Sequence, residues 1–286
     1  MVWLIFAQIV NGIAIGMVYA VMSLGLSIIK GLLNIPNFAH GALYALGAYL
    51  CYAAVSHGLP FAVGLVVAFS GSAIAGLLLD RLAIRPVQGA GYLPQLIVLF
   101  GCALVIEQLL LIGWGTVGLS YSPPSSLRGA LDFGFTVVPR YIVFASIVSA
   151  LVIFLVWLLI ERTKFGARIR AGIERPETTQ SLGINVDLLL SAGMMLGAGL
   201  AGLAGGLALP IVGATSTMGG DMLGIAFVVL VIGGLGSLYG SIAAGILVGV
   251  VQSLMTIAAP AASTAIVYAL MIGVLLFRPQ GLFGER

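Results

Sequence analysis

Stretches of about twenty apolar residues recur along the whole chain, at roughly 5–29, 38–56, 61–79, 95–113, 141–160, 188–211, 222–236, 239–258 and 262–277. Twenty apolar residues are the length of helix that crosses a bilayer core, where backbone groups find no water and must bond within their own segment. A soluble core cannot account for so many runs. Only 7% of the residues are charged and 61% are hydrophobic, with a mean hydropathy of +1.20; soluble domains carry roughly a quarter charged residues. The chain reads as an all-α, polytopic membrane protein of about 8–9 transmembrane segments, some of them discontinuous. Its first residues lack the basic region of a signal peptide and their apolar run outlasts one, so they read as the first span. A single transmembrane domain is expected over 1–286, with no soluble module.

Orientation follows from the basic residues. Of 12 Lys and Arg, five lie in the stretch 161–187 (Arg162, Lys164, Arg168, Arg170 and Arg175), which marks it as a cytoplasmic loop. Counting spans from there places 80–94, with Arg81 and Arg85, and the tail "FRPQGLFGER" inside, and the uncharged N-terminus outside. The loop 114–140 falls outside despite Arg128 and Arg140, and its paired prolines and lack of helical period predict a packed surface loop. The seventh run is short and ends in "GGLGSLYGS", where glycines and serines break a helix, so runs seven and eight read as a tight re-entrant pair.

Chemistry-bearing motifs are scarce. There are two histidines, His40 and His57, and no H-E-x-x-H, G-x-S-x-G or Walker A signature, so neither an enzyme nor a metal or cofactor site is expected. Cys51 and Cys102 sit inside apolar runs and read as small buried thiols. The net charge of +3 is explained by topology, not by nucleic acid. Glycines at 193, 197, 199, 202, 205 and 206 give one helix the G-x-x-x-G spacing of a flat face, suited either to close packing or to sliding during transport.

Polar residues inside apolar runs are costly and mark the places worth explaining. In "NIPNFAHG", Asn34 fits a helix N-cap and Pro36 a first helical turn. Asn34, Asn37, His40 and the adjoining Gly41 either line or gate a translocation path or merely cap and cross-link helices. Glu107 is the one acid well inside a span; it is a candidate for the same path or gate, or serves proton coupling, a structural hydrogen bond or a subunit contact. Asp221, after "TSTMGG", either meets an external partner or caps its helix. The cytoplasmic segment 170–185 has a helix-like body and Gly183 as a C-terminal stop. Such a helix is either a docking surface for a cytoplasmic motor or a connector whose arginines lie on lipid phosphates.

Together, "GLLNIPNFAHGALYALGAY", "GARIRAGIERPETTQSLGIN", "FVVLVIGGLGSLYGSIAAGILVG" and "LLFRPQGLFG" resemble, in order over nearly the whole chain, the branched-chain amino acid permeases of bacterial ATP-binding cassette uptake systems. Within that family the chain is similar to the shorter of the two permease subunits. The resemblance implies a multi-pass subunit of the bacterial inner membrane, embedded in lipid. Its partners would be a second related permease, two cytoplasmic ATP-binding subunits and a periplasmic binding protein. Alternating access would be driven by ATP hydrolysis in those partners. Arg170 to Gly183 would then be the coupling helix, with Arg170, Glu174, Thr178, Ser181 and Gly183 at docking positions; Arg175 and Pro176 interrupt that motif and shift the helix start towards Pro176. Cargo other than branched-chain amino acids (urea, amides, aromatic acids) and an ion-coupled secondary carrier using Glu107 are the alternatives.

Overall fold

The computed structural model describes residues 2–33, 35–132, 134 and 137–284, excepting the side chains of Val2, Leu33, Ile173, Glu174 and Pro176. In chain order its helices are α1 (Val2–Leu33), α2 (His40–Ser56), α3 (Phe61–Leu79), a π-helical turn (Asp80–Ile84) running into the short α4 (Arg85–Val87), and α5 (Tyr92–Trp114). Then follow α6 (Arg140–Arg162), α7 (Lys164–Glu174), α8 (Pro176–Ser181), α9 (Val186–Val212), α10 (Met218–Gly233), α11 (Leu238–Ala258) and α12 (Ser263–Phe277). Each of the nine apolar runs has become a helix. Seven stretches, 3–32, 61–90, 92–114, 140–162, 186–212, 238–258 and 260–277, are long and apolar enough to cross a membrane. The remaining two, α2 with 17 residues and α10 with 16, are shorter. At 1.5 Å per residue they reach about 24–26 Å, less than a hydrocarbon core of about 30 Å. Large side chains such as Ile112 (73% exposed) and Leu276 (77%) lie on the outside, as lipid-facing residues do.

Three sequence expectations are corrected. Pro36 is not in a first helical turn: α2 begins only at His40, and Pro36 sits in the non-helical link after α1. The expected pair of re-entrant pieces contains one short member, because α11 is 21 residues long. Between α10 and α11, Gly234 (φ +100°) and Gly236 (φ +87°) make the turn in a backbone region that disfavours side chains. The loop 114–140 holds a two-stranded antiparallel ladder, β1 (Ala130–Asp132) with β2 (Val137–Pro139), which no alternation in the sequence indicated.

Two compact units emerge, one of residues 1–24, 121–153 and 224–286, the other of 25–120 and 154–223. In the first unit, the N-terminal part of α1 crosses α11 glycine to glycine. A methyl group on Gly16 would lie 2.7 Å from the Gly245 carbonyl oxygen, and one on Gly245 2.8 Å from Ala20 Cβ. Such closeness lets polar side chains bridge the two helices: Tyr19 Oη donates to Gln252 Oε1 (2.8 Å), and Ser253 Oγ lies 2.7 Å from Gln8 Oε1. The tail closes on the end of α10, where Leu282 N–H donates to Ile232 O (2.8 Å) and Phe283 N–H to Gly233 O (3.1 Å).

The second unit is organised around α9, and here the expected flat glycine face is replaced by glycines on several sides. A methyl on Gly197 would lie 2.6 Å from Gly25 O of α1, and one on Gly199 2.7 Å from the Phe69 ring of α3. Gly202 faces both Ser72 of α3 and Gly47 of α2, while Gly205 faces the Tyr44 carbonyl of α2. With three neighbours at backbone distance, α9 is a hub, and its glycines are needed all round it. Beside it, Ile29, Ile35, Ala39, Ala42, Ile84, Leu99 and Met194 form a buried apolar cluster under the link between α1 and α2.

Candidate functional site

All the candidate residues fall in the unit of 25–120 and 154–223. In the link between α1 and α2, Asn37 is fully buried; its Oδ1 accepts the Ala39 N–H (3.0 Å), its carbonyl oxygen accepts the His40 N–H (3.1 Å), and Nδ2 is 3.9 Å from Met194 Sδ. Asn37 thus folds the link into an Asx turn just ahead of α2, whose own N-cap position, Ala39, carries no side-chain bond; Asn34, expected as the cap, lies outside the described residues. His40 is also fully buried, at the first residue of α2, with Cε1 3.2 Å from where a Gly25 Cβ would stand. A side chain on Gly41 would strike the Gly219 carbonyl of α10, and one on Gly219 would come 2.6 Å from Gly41 O. The break in the sequence is thus a tightly packed joint between α1, α2, α9 and the start of α10.

In the loop 161–187, α7 (Lys164–Glu174) is capped by Thr163, whose Oγ1 accepts the Gly166 N–H (3.3 Å). Arg175, before Pro176, is driven out of the helical region (φ −142°, ψ 77°), and α8 restarts at Pro176 as its preset φ favours. Gly183 ends α8 at φ +78°, with its N–H on Gln180 O (2.9 Å) and the Ile184 N–H on Thr179 O (3.3 Å). Thr178, Ser181 and Gly183 are exposed along this tip, next to Leu182 at 75% exposed. Arg170 turns back instead, donating to Ile160 O and lying 3.3 Å from Glu161 Oε2 at the end of α6. The Glu174 side chain lies outside the described residues. One residue the sequence did not single out holds the pair together: buried Thr179, its Oγ1 2.9 Å from the carbonyl oxygens of both Ala171 and Arg175.

A second unforeseen group joins the α3 end to the α9 start. Asp80, 2% exposed, opens the π-helical turn, and the Arg85 N–H bonds the Asp80 carbonyl five residues back. That pitch stacks the two side chains, so Arg85 Nε donates to Asp80 Oδ2 (3.3 Å) while Nη2 donates to Ser191 Oγ (2.7 Å) and Asp187 O (2.9 Å). Ser191 Oγ donates in turn to Asp80 Oδ2 (2.5 Å). Arg85, read from the sequence only as a topology signal, is the hinge of a closed ring of charge and hydrogen bonds tying α3 and α4 to α9, four residues or so beyond the α7–α8 pair.

Glu107, on α5, is half-buried and borders a groove of about 520 Å³ with Gln108, Ser216 and Thr217. Among the described residues no cation lies in ion-pair range of it; the salt bridges are Arg85–Asp80 and Arg170–Glu161. Asp221 sits in the first turn of α10, where an acid favours the helix N-terminus.

Comparison with known proteins follows the same outline. The family model described as "Branched-chain amino acid transport system / permease component" matches residues 8–275. The high-affinity branched-chain amino acid transport system permease protein BraD of Pseudomonas aeruginosa is 31% identical over 97% of this chain and 95% of its own. LivH of Escherichia coli, of the same description, is 28% identical over 97% and 95% respectively. A probable branched-chain amino acid transport permease, LivH of Methanocaldococcus jannaschii, is 29% identical over 92% of this chain and 87% of its own. Among solved structures, PsaBC from Streptococcus pneumoniae in complex with Fab aligns with a TM-score of 0.46 at 14% identity, covering 95% of this chain and 89% of that one.

Proposed function

The chain belongs to the family of permease components of branched-chain amino acid transport systems, and from that premise we propose that it is the membrane subunit of an ATP-binding cassette importer for branched-chain or related hydrophobic amino acids. It works in the bacterial inner membrane with a second, related permease, two cytoplasmic ATP-binding subunits and a periplasmic binding protein. The subunit makes and breaks no covalent bond. Its task is to open a path alternately to either side, and the energy arrives from the ATPases through the cytoplasmic loop.

The observation that carries this reading is the form of 164–183. Two short helices, pinned to each other by Thr179 and braced on α6 by Arg170, present an exposed tip with Thr178, Ser181, Leu182 and Gly183. A connector lying on lipid has no need of an internal staple and a sharply terminated tip; a lever pushed by a partner needs both. From the tip, the chain enters α9 within a few residues, and α9 touches α1, α2 and α3, so a displacement of the tip reaches the joint at Asn37, His40 and Gly41. That joint is the gate in this reading. Packed without a side chain between Gly41 and Gly219, it can separate or close as a seam.

Gly183→Pro tests the lever. Proline holds φ near about −65°, whereas Gly183 stands at +78°, so the tip cannot keep its shape. Amino acid uptake is expected to be abolished with membrane insertion unchanged; normal uptake by the variant overturns the reading. Co-purification with the ATP-binding subunits, lost when 174–183 is scrambled, checks the same contact directly.

A further inference from the structure

Resting on the amino acid permease reading, we infer that the groove beside Glu107 is a binding site for the zwitterionic head of the transported amino acid, with Glu107 receiving its ammonium group. The groove lies within one unit, between α5 and the residues just before α10. Glu107 is seven residues before Trp114, the end of α5, so the site lies about 10 Å from the outer end of that helix in the orientation set by the basic loops. That is the side from which a substrate arrives.

The groove's chemistry is divided in the way an aliphatic amino acid is divided. Leu104, Val105 and Leu111 supply an apolar wall along α5. Against it stand four polar groups: the Glu107 carboxyl, the Gln108 amide and the hydroxyls of Ser216 and Thr217. A carboxylate at membrane depth is stabilised only by a cation or by several donors, yet no lysine or arginine among the described residues reaches Glu107, and Leu109 and Ile112 beyond the groove are exposed as lipid-facing residues are. A substrate ammonium supplies the missing cation. The amide and hydroxyl donors suit the substrate carboxylate, and the leucines and valine suit its side chain. At about 520 Å³ the space is large enough for one small amino acid together with ordered water.

The test uses the complete importer, with both permeases, both ATP-binding subunits and the binding protein: reconstituted in vesicles it reads leucine uptake, and solubilised without the binding protein it reads equilibrium binding of L-leucine and of 4-methylpentanoate, which is leucine without its ammonium group. Wild type is expected to bind leucine and discriminate against the deaminated analogue. Glu107→Gln, which keeps the shape and removes the charge, is expected to weaken leucine by at least about tenfold and to erase the discrimination; Glu107→Asp should restore part of it. A purely structural role would leave the preference between the two ligands intact. Undiminished leucine affinity and preference in Glu107→Gln overturn the inference, as does a wild-type complex that transports leucine without binding it. So does a photo-crosslinking residue substituted for Glu107 that captures the second permease in high yield, because the groove is then a subunit seam. If wild type moves no amino acid at all, the permease reading itself fails; if it moves leucine and only the Glu107 comparison fails, that reading stands and the site falls.

Discussion

Two acids in the same unit show what a carboxyl can be for in a membrane protein. Asp80 is buried and closed in a ring with Arg85, Ser191 and the Asp187 carbonyl; Glu107 is half-buried, faces a groove and has no cation in range among the described residues. Asp80 Oδ2 already holds the Arg85 guanidinium and the Ser191 hydroxyl in the folded subunit, so this carboxylate is committed to structure. Glu107 has its capacity left over. An acid that is satisfied internally belongs to the scaffold, and one that is left unsatisfied at membrane depth belongs to whatever comes and goes.

The largest expected effect breaks the ring. Asp80 is buried but the Arg85 side chain is 35% exposed, so removing one member strands at most one buried charge and costs about 3 kcal/mol, the upper end for a buried group left unsatisfied. Asp80→Asn or Arg85→Met should therefore lower the thermal unfolding midpoint of the detergent-solubilised subunit steeply and reduce the amount inserted. The double variant should be less damaged than either single one, because no lone charge remains. Equal or greater damage in the double variant would show that the ring acts by shape and not by charge.

How this contrast relates to the sequence is instructive. Glu107 is legible as an oddity because an acid in an apolar run stands out by composition alone. Asp80 and Arg85 do not, since five residues separate them and an α-helix puts i and i+5 on different sides; only the π-helical turn brings them together. The nine helices are legible because twenty apolar residues have one way to satisfy their backbones in lipid. Helix ends at glycine and proline follow from backbone preference, which is why α8 starts at Pro176 and stops before Gly183. What one dimension does not carry is the number of neighbours. The glycines of α9 have the spacing of one flat face, yet they meet α1, α2 and α3, because packing distance is set by helices far apart in the chain. Thr179 is hidden for a similar reason: its value lies in the fold of α8 back onto α7.

A medium effect sharpens the comparison by asking whether Ser191 or the glycines position α9. Gly202 lies between Ser72 of α3 and Gly47 of α2, where no side chain fits. Gly202→Leu should force the helices apart and cost about 1–3 kcal/mol or more, as overpacking does. Read by the same unfolding midpoint, a loss smaller than that from Asp80→Asn places the ring first in holding the unit; a larger one places the glycine hub first.

The smallest effect is the one that matters most for the contrast. If Glu107 has no internal partner, neutralising it deprives the folded subunit of nothing, and the change in stability should stay within about 0.5 kcal/mol, the range of substitutions that touch no packed or bonded feature. Glu107→Gln should therefore unfold at the wild-type midpoint even as it loses leucine. Stability and function would separate at this residue and coincide at Asp80, where the destabilised protein would lose both. A midpoint that falls by several degrees in Glu107→Gln would mean that the carboxyl is bonded within the assembled subunit after all, and the two acids would then be two versions of the same structural device.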